Sequence, residues 1–302
     1  MTPLAIRGRI FVVGVPRSGT TLLQGLLATH STTTSFTESH FFARHFSRLP
    51  GTSTAILTRN PAPGVAAFLN ENGEEPVDAS RWFSSENRPW LRLKPWLPTQ
   101  SRTVARRLLR IFDELALRRG TPYWIEKTPR HLRYVPYLER VSNEDPRPQF
   151  IHMIRDGMEV VASLYRASQS WERPYDLETC IQRWNEDVAF SLTRVADPND
   201  HFVFYEQLTS QPEPTLRRLL ADLGLAWEPE ILESYGPTTD RLVTQDEPWK
   251  ADVGRPIRHS ATSHRELNAA QRNRVTRLLR QDLYHEIASR AQQRAGGIAA
   301  PG

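Results

Sequence analysis

Residues 11–22, Phe-Val-Val-Gly-Val-Pro-Arg-Ser-Gly-Thr-Thr-Leu, run an apolar stretch into a glycine-bounded turn and then into a helical pattern. Gly14 and Gly19 have the G-x-x-x-x-G spacing of a phosphate-cradling loop, and Thr21 stands where such loops carry a Ser or Thr. A loop of this kind offers consecutive backbone N–H groups and a helix N-terminus to an anion. Thr20, however, occupies the place of the lysine that reaches the β- and γ-phosphates of a nucleoside triphosphate, and Arg17 is the loop's cation. The pattern therefore suits a shorter 5′ anion better than ATP. A second anion site is written in Ile154-Arg155-Asp156-Gly157, where an apolar strand turns into a helix and Ser163 follows Arg155 by eight residues. Arg155 can grip a phosphate bidentately, and Ser163 can add a hydrogen bond from the helix. The plainer alternative is that Arg155-Asp156 only caps that helix.

The elements that must position these residues alternate in type. Residues 10–13 read as a buried strand feeding a helix over 20–29, with Leu22, Leu23, Leu26 and Leu27 on its apolar face. Further short strands are expected over 33–36, 123–125, 150–154 and 201–205, with helices over 130–141, 157–167, 177–195 and 213–223. Val104, Leu108, Ile111, Phe112 and Leu115 share one helical face, and Leu267, Val275, Leu278, Leu279 and Leu283 mark a C-terminal helix. Strands alternating with helices imply an α/β fold built on parallel βαβ units, with ligands at the carboxyl ends of the strands.

The 302-residue chain is 39% hydrophobic, enough for a sizeable core, and is read as one domain over 1–302 with an irregular insertion at 47–120. Trp82, Phe83, Trp90 and Trp96 enrich that insertion, which fits either an acceptor-binding surface or a satellite core. Net charge is +5, yet the basic residues are scattered, so a basic groove for a nucleotide is expected and not a nucleic-acid-binding tail. No run approaches the ~18 apolar residues of a membrane helix, and the chain is expected to be soluble and cytoplasmic. Cys180 is the single cysteine, which excludes an internal disulfide or a thiolate cluster. His30, His40, His45, His131 and His152 have no metal-ligand spacing, and no metal is expected.

Pro16-Arg17-Ser18-Gly19-Thr20-Thr21-Leu22 resembles the 5′-phosphosulfate loop of sulfotransferases that use 3′-phosphoadenosine 5′-phosphosulfate (PAPS). The version is similar to that of the tyrosylprotein sulfotransferases and their bacterial relatives. Arg155 and Ser163 match the 3′-phosphate contacts of that family, and Phe204-Tyr205-Glu206-Gln207-Leu208 looks like its strand end whose tyrosine touches the nucleotide. The resemblance implies that Glu38, twenty-one residues after Arg17, is the general base, with His40 the rival. It also implies that Lys127, in Glu126-Lys127-Thr128-Pro129, stabilises charge on the sulfuryl group. Ser263, following Pro256-Ile257, matches a serine that contacts the transferred group, but His264 and Arg265 replace the family's neighbouring aromatic, and Ser260 could serve instead. Arg258 or Arg265 is a further candidate for the 3′-phosphate.

The resemblance covers residues 10–46 and 121–285. It implies a P-loop-like fold with a central parallel sheet flanked by helices, and sulfuryl transfer to a phenolic or alcoholic hydroxyl of a small-molecule or peptidyl acceptor, releasing PAP. Two alternatives remain at this stage: a small-molecule kinase with a degenerate P-loop, and a catalytically silent nucleotide-binding protein. The kinase would need Mg²⁺ ligands and a loop lysine. The silent protein would tolerate loss of Glu38 and Lys127.

Overall fold

The structure, a computed structural model, describes residues 4–74, 98–142, 146–242, 257 and 263–297. Trp82, Phe83, Trp90, Trp96, Pro256, Arg258 and Ser260 lie outside the described residues. Among those described, β1 (Gly8–Gly14), β2 (Thr33–Ser35), β5 (Tyr123–Lys127), β6 (Pro148–Ile154) and β7 (Asp200–Phe204) form a parallel sheet in the order β2-β5-β1-β6-β7. A small antiparallel pair, β3 (Phe46–Arg48) and β4 (Ala55–Leu57), stands apart from it.

The sheet is buried on both faces, as parallel sheets are. Along β1 the pleat alternates: Phe11 and Val13 join Trp124, Phe150 and Phe112 on one side, while Ile10 and Val12 join Ile125, Ile151, Leu23 and Leu26 on the other. The first layer is completed by α2 (Phe41–His45), α3 (Ala62–Glu71) and α4 (Pro98–Arg118). Val104, Leu108, Ile111, Phe112 and Leu115 of α4 are all buried there, as their spacing predicts. The second layer contains α1 (Thr20–Ala28). Residues 55–71, read from sequence as irregular, contain β4 and α3, whose Val65, Phe68 and Leu69 face the aromatic core.

Two expected helices are divided. Residues 129–141 form a 3₁₀ turn, Pro129–Tyr134, followed by α5 (Val135–Val141), because Pro136 has no N–H to continue a helical ladder from the preceding turn. The C-terminal helix is two, α12 (Ala269–Leu278) and α13 (Gln281–Gly297), for a reason that lies on another helix. Between these stretches run α6 (Gly157–Ser168), α7 (Leu177–Thr193), α8 (Tyr205–Ser210), α9 (Pro212–Asp222), α10 (Glu230–Glu233) and α11 (Tyr235–Leu242).

The chain leaves β1 through α1 toward β2 on one side, whereas it leaves β6 through α6 and α7 toward β7 on the other. Adjacent strands whose onward connections diverge open a crevice at their carboxyl ends, the usual ligand site of such sheets. The loop after Gly14 and the turn at Arg155 flank that crevice.

Candidate active site

The loop between β1 and α1 is held in an uncommon conformation. Arg17 has φ 77° and Gly19 has φ 99°, both left-handed, and Ser18 N donates to Val15 O at 3.1 Å. A non-glycine residue at positive φ is sparsely populated and concentrates at ligand sites. Gly19 has a second reason to be glycine, because a Cβ there would lie 2.6 Å from the Tyr205 ring. Ser18 is fully buried, and its Oγ has no hydrogen-bond partner. Leaving a buried hydroxyl unpaired costs about 1–3 kcal/mol, so a loop that does so is shaped for an acceptor group from outside the chain. An anionic oxygen meets that need, and Thr20 and Thr21 stand beside it at the start of α1.

Arg155 emerges from β6 beside this loop. Its guanidinium donates to Arg17 O at 3.2 Å, lies 4.0 Å from the centroid of the Tyr205 ring, and stands 3.8 Å from Glu159. Arg17 Nε in turn donates to Ser163 Oγ at 3.2 Å. The ends of β1, β6 and β7 thus bring Arg17, Arg155, Ser163 and Tyr205 together. Asp156 does cap α6, accepting from Glu159 N at 3.1 Å, so capping and an anion-facing Arg155 coexist.

On the other side of β1, Lys127 closes β5, and its Nζ donates to Glu38 Oε1. The lysine side chain is 1% exposed and the glutamate 13%, so the pair meets in a largely water-excluded recess. His40 Nε2 stands 3.5 Å from Glu38 Oε2. Burial, offset in part by Glu38 and reinforced by Arg44, lowers the His40 pKa from 6.5 to about 4. His40 is neutral at pH 7 and has none of the near-neutral basicity that suits histidine to proton abstraction.

Ser263 opens a 3₁₀ turn, Ser263–Glu266, and is anchored through its backbone: its N–H donates to Glu159 Oε2 at 3.0 Å, and His264 Nδ1 lies 2.5 Å from Glu159 Oε1. Glu159 is thus a residue that the sequence did not single out, tying the C-terminal segment to the helix that follows Arg155. Trp184, whose Nε1 donates to Arg155 O at 3.2 Å, is another. Arg166, one position from a basic contact in the resembled family, instead pairs with Glu266 at the surface. Cys180 is buried, and burial raises its thiol pKa to about 12, consistent with an inert core residue.

Among the described residues, Glu139, Asp197 and Asp200 lie close enough to share a cation. Arg194 already bridges all three carboxylates, at 2.9 Å from Asp197 and 2.7 Å from Asp200, at the opposite end of the sheet from the crevice. No described helix is long and apolar enough to cross a membrane.

Comparison with known proteins places the chain in a family. A family profile described as "Sulfotransferase family" matches residues 9–229, and the chain belongs to that family. Over 230 residues it is 26% identical to protein-tyrosine sulfotransferase A of Caenorhabditis elegans, which covers 74% of this chain and 51% of that protein. This chain therefore spans about half the length of that relative. The fold is that of the sulfotransferase domain from the Synechococcus olefin synthase (17% identical, TM-score 0.56, covering 92% of this chain and 96% of that one). A mouse sulfotransferase solved in complex with PAP is similar at 12% identity and TM-score 0.50, covering 91% of this chain and 84% of that one. The chain has the central parallel sheet expected of a member of that family.

Proposed function

We propose that this sulfotransferase takes its sulfuryl group from PAPS and delivers it to a phenolic or alcoholic hydroxyl. The observation that carries the reading is the pairing of Glu38 with Lys127 in a water-poor recess one strand away from an anion loop. Pro16, Arg17, Ser18, Gly19, Thr20 and Thr21 hold the 5′-phosphosulfate, and Arg155 with Ser163 holds the 3′-phosphate. Tyr205 supports the nucleotide side. PAPS supplies an activated sulfuryl group.

Glu38 takes the acceptor proton as the acceptor oxygen bonds to sulfur, and the bond from sulfur to the phosphate oxygen breaks with its electrons leaving on PAP. Lys127, Arg17 and the loop N–H groups face the charge that develops, where a preorganised cation in a dry site is worth on the order of 3 kcal/mol. Ser263, held by Glu159, lies on the C-terminal segment that packs against the Arg155 helix and is the third candidate contact.

The test is ligand-dependent melting followed by transfer of labelled sulfate from PAPS to a panel of phenols and alcohols. PAP at about 100 times its dissociation constant should add about 2.7 kcal/mol to stability, and ATP with Mg²⁺ far less. Greater stabilisation by ATP, abolished by a chelator, would establish the kinase alternative.

A further inference from the structure

Adjacent residues on two segments straddle the end of the sheet. Glu38 and Ser39 follow β2, and Lys127 and Glu126 end β5, the neighbouring strand. The pleat sends Lys127 to the α1 side with Val12, its partner in register, and Glu126 to the aromatic side with Phe11. On the first side Lys127 meets Glu38. On the second, Glu126 is fully buried and collects Ser39 Oγ at 2.8 Å, Thr128 Oγ1 at 2.6 Å and His131 Nδ1 at 2.9 Å.

The network continues into the backbone that carries the proposed base. Ser39 N points to the same Glu126 oxygen at 3.4 Å, His40 N donates to Thr128 Oγ1 at 3.2 Å, and Phe42 N donates to His131 Nε2 at 3.2 Å. Since Nε2 accepts, the imidazole proton sits on Nδ1, where Glu126 accepts it. Burial alone would raise the Glu126 pKa, but His131 and the two hydroxyls outweigh it and hold the carboxyl below its ordinary value, ionised. The amides of three of the four residues that follow Glu38 are therefore fixed to a rigid strand end by one buried carboxylate and its two relays. One of the three, His40, has φ 53°, a left-handed backbone that needs such support.

We infer that Glu126, relayed through Thr128 and His131, is a positioning residue that sets Glu38 against Lys127 for proton abstraction, without itself touching substrate. The inference rests on the proposed function for the role of Glu38. A buried anion accepting three side-chain donors is needed here because a neutral amide of the same shape presents donors on one side and cannot satisfy both the hydroxyls and the imidazole N–H.

The experiment compares the wild-type chain with Glu126→Gln and, should that variant fold poorly, with Thr128→Val, which removes only the relay to His40 N. It measures PAP affinity, sulfuryl transfer from PAPS to a series of ring-substituted phenols, and hydrogen exchange of the amides of Ser39, His40 and Phe42. Either variant should lower kcat roughly 10- to 100-fold, the scale of a slightly misplaced catalytic group, while PAP affinity stays within about twofold. The deficit should shrink as the phenol becomes more acidic, a trend that a general loss of structure does not produce, and exchange should quicken at least tenfold at the three amides in Glu126→Gln and at the His40 amide in Thr128→Val. Unchanged turnover, or a deficit independent of phenol acidity, overturns the positioning role. A wild-type chain that binds no PAP and transfers nothing overturns the proposed function first, and the positioning role with it.

Discussion

Glu38 sets one oxygen against the Lys127 ammonium and the other near the neutral His40 ring. Glu38→Gln keeps the side chain's shape and should leave PAP affinity within about twofold, while turnover falls roughly 10²-fold or more, the usual loss with a general base. His40→Ala should cost far less in rate; the reverse order would move the base to His40. Arg155 carries a separable role. Arg155→Ala should weaken PAP by about 2 kcal/mol or more, since it removes a charge-assisted bidentate contact. It should barely affect adenosine 5′-phosphosulfate, which lacks the 3′-phosphate, and equal losses for both ligands would make Arg155 structural. Arg155 was readable in the sequence because it follows an apolar strand at its turn into a helix, and Lys127 through the family resemblance of Glu126-Lys127-Thr128-Pro129. Glu126 and Glu159 were not. Their importance comes from partners far along the chain, Ser39 for one and Ser263 for the other, and a glutamate's burial has no local signature.

At the scale of elements, the β1 loop and most strand ends were legible, because short apolar runs stop within a residue of where β1, β2, β6 and β7 end, whereas the run read over 123–125 continues as β5 to Lys127, where Glu126 and Lys127 extend the ladder with β1. The break between α12 and α13 was not, since neither glycine nor proline marks it. Asn185 on α7 makes the break: its side-chain amide donates to Leu278 O at 3.0 Å and accepts from Arg280 N at 2.9 Å, replacing helical bonds with tertiary ones. Gly19 offers the sharpest test of the loop. Gly19→Ala combines an unfavourable φ with displacement of the Tyr205 ring, which also stacks on Arg155. PAP affinity measured by calorimetry should fall at least tenfold, about 1.4 kcal/mol, and the melting temperature should drop by a few degrees. An alanine variant with wild-type PAP affinity would show that the loop's left-handed turn is dispensable for the donor.

The whole molecule buries titratable groups in a way that sets its response to acid. His40, His45 and His201 all have pKa values below 6.5, chiefly through desolvation by burial, with His40 at about 4. The unfolded chain therefore binds protons at these rings more readily than the native one between pH 6.5 and about 4, and stability falls as pH drops through that window. Glu139 and Asp187 act oppositely, because burial raises their carboxyl pKa values and native protonation adds stability on acidification. Glu126 and Asp200 are held below the ordinary carboxylate range despite their burial, by His131 and by His152 with Arg194 respectively, and their contributions are lost only at still lower pH. The melting temperature should accordingly decline from about pH 6.5 downward and fall more steeply below about pH 4. His40→Asn removes one of the three imidazoles while keeping a residue type that tolerates the left-handed backbone at this position. Thermal melts of this variant from pH 7.5 to 4 should show a shallower decline than wild type within the upper window and the same steep fall beneath it. Parallel curves for the two proteins would mean that His40 is protonated as readily in the native state as in the unfolded one, and that the recess around Glu38 is open to water.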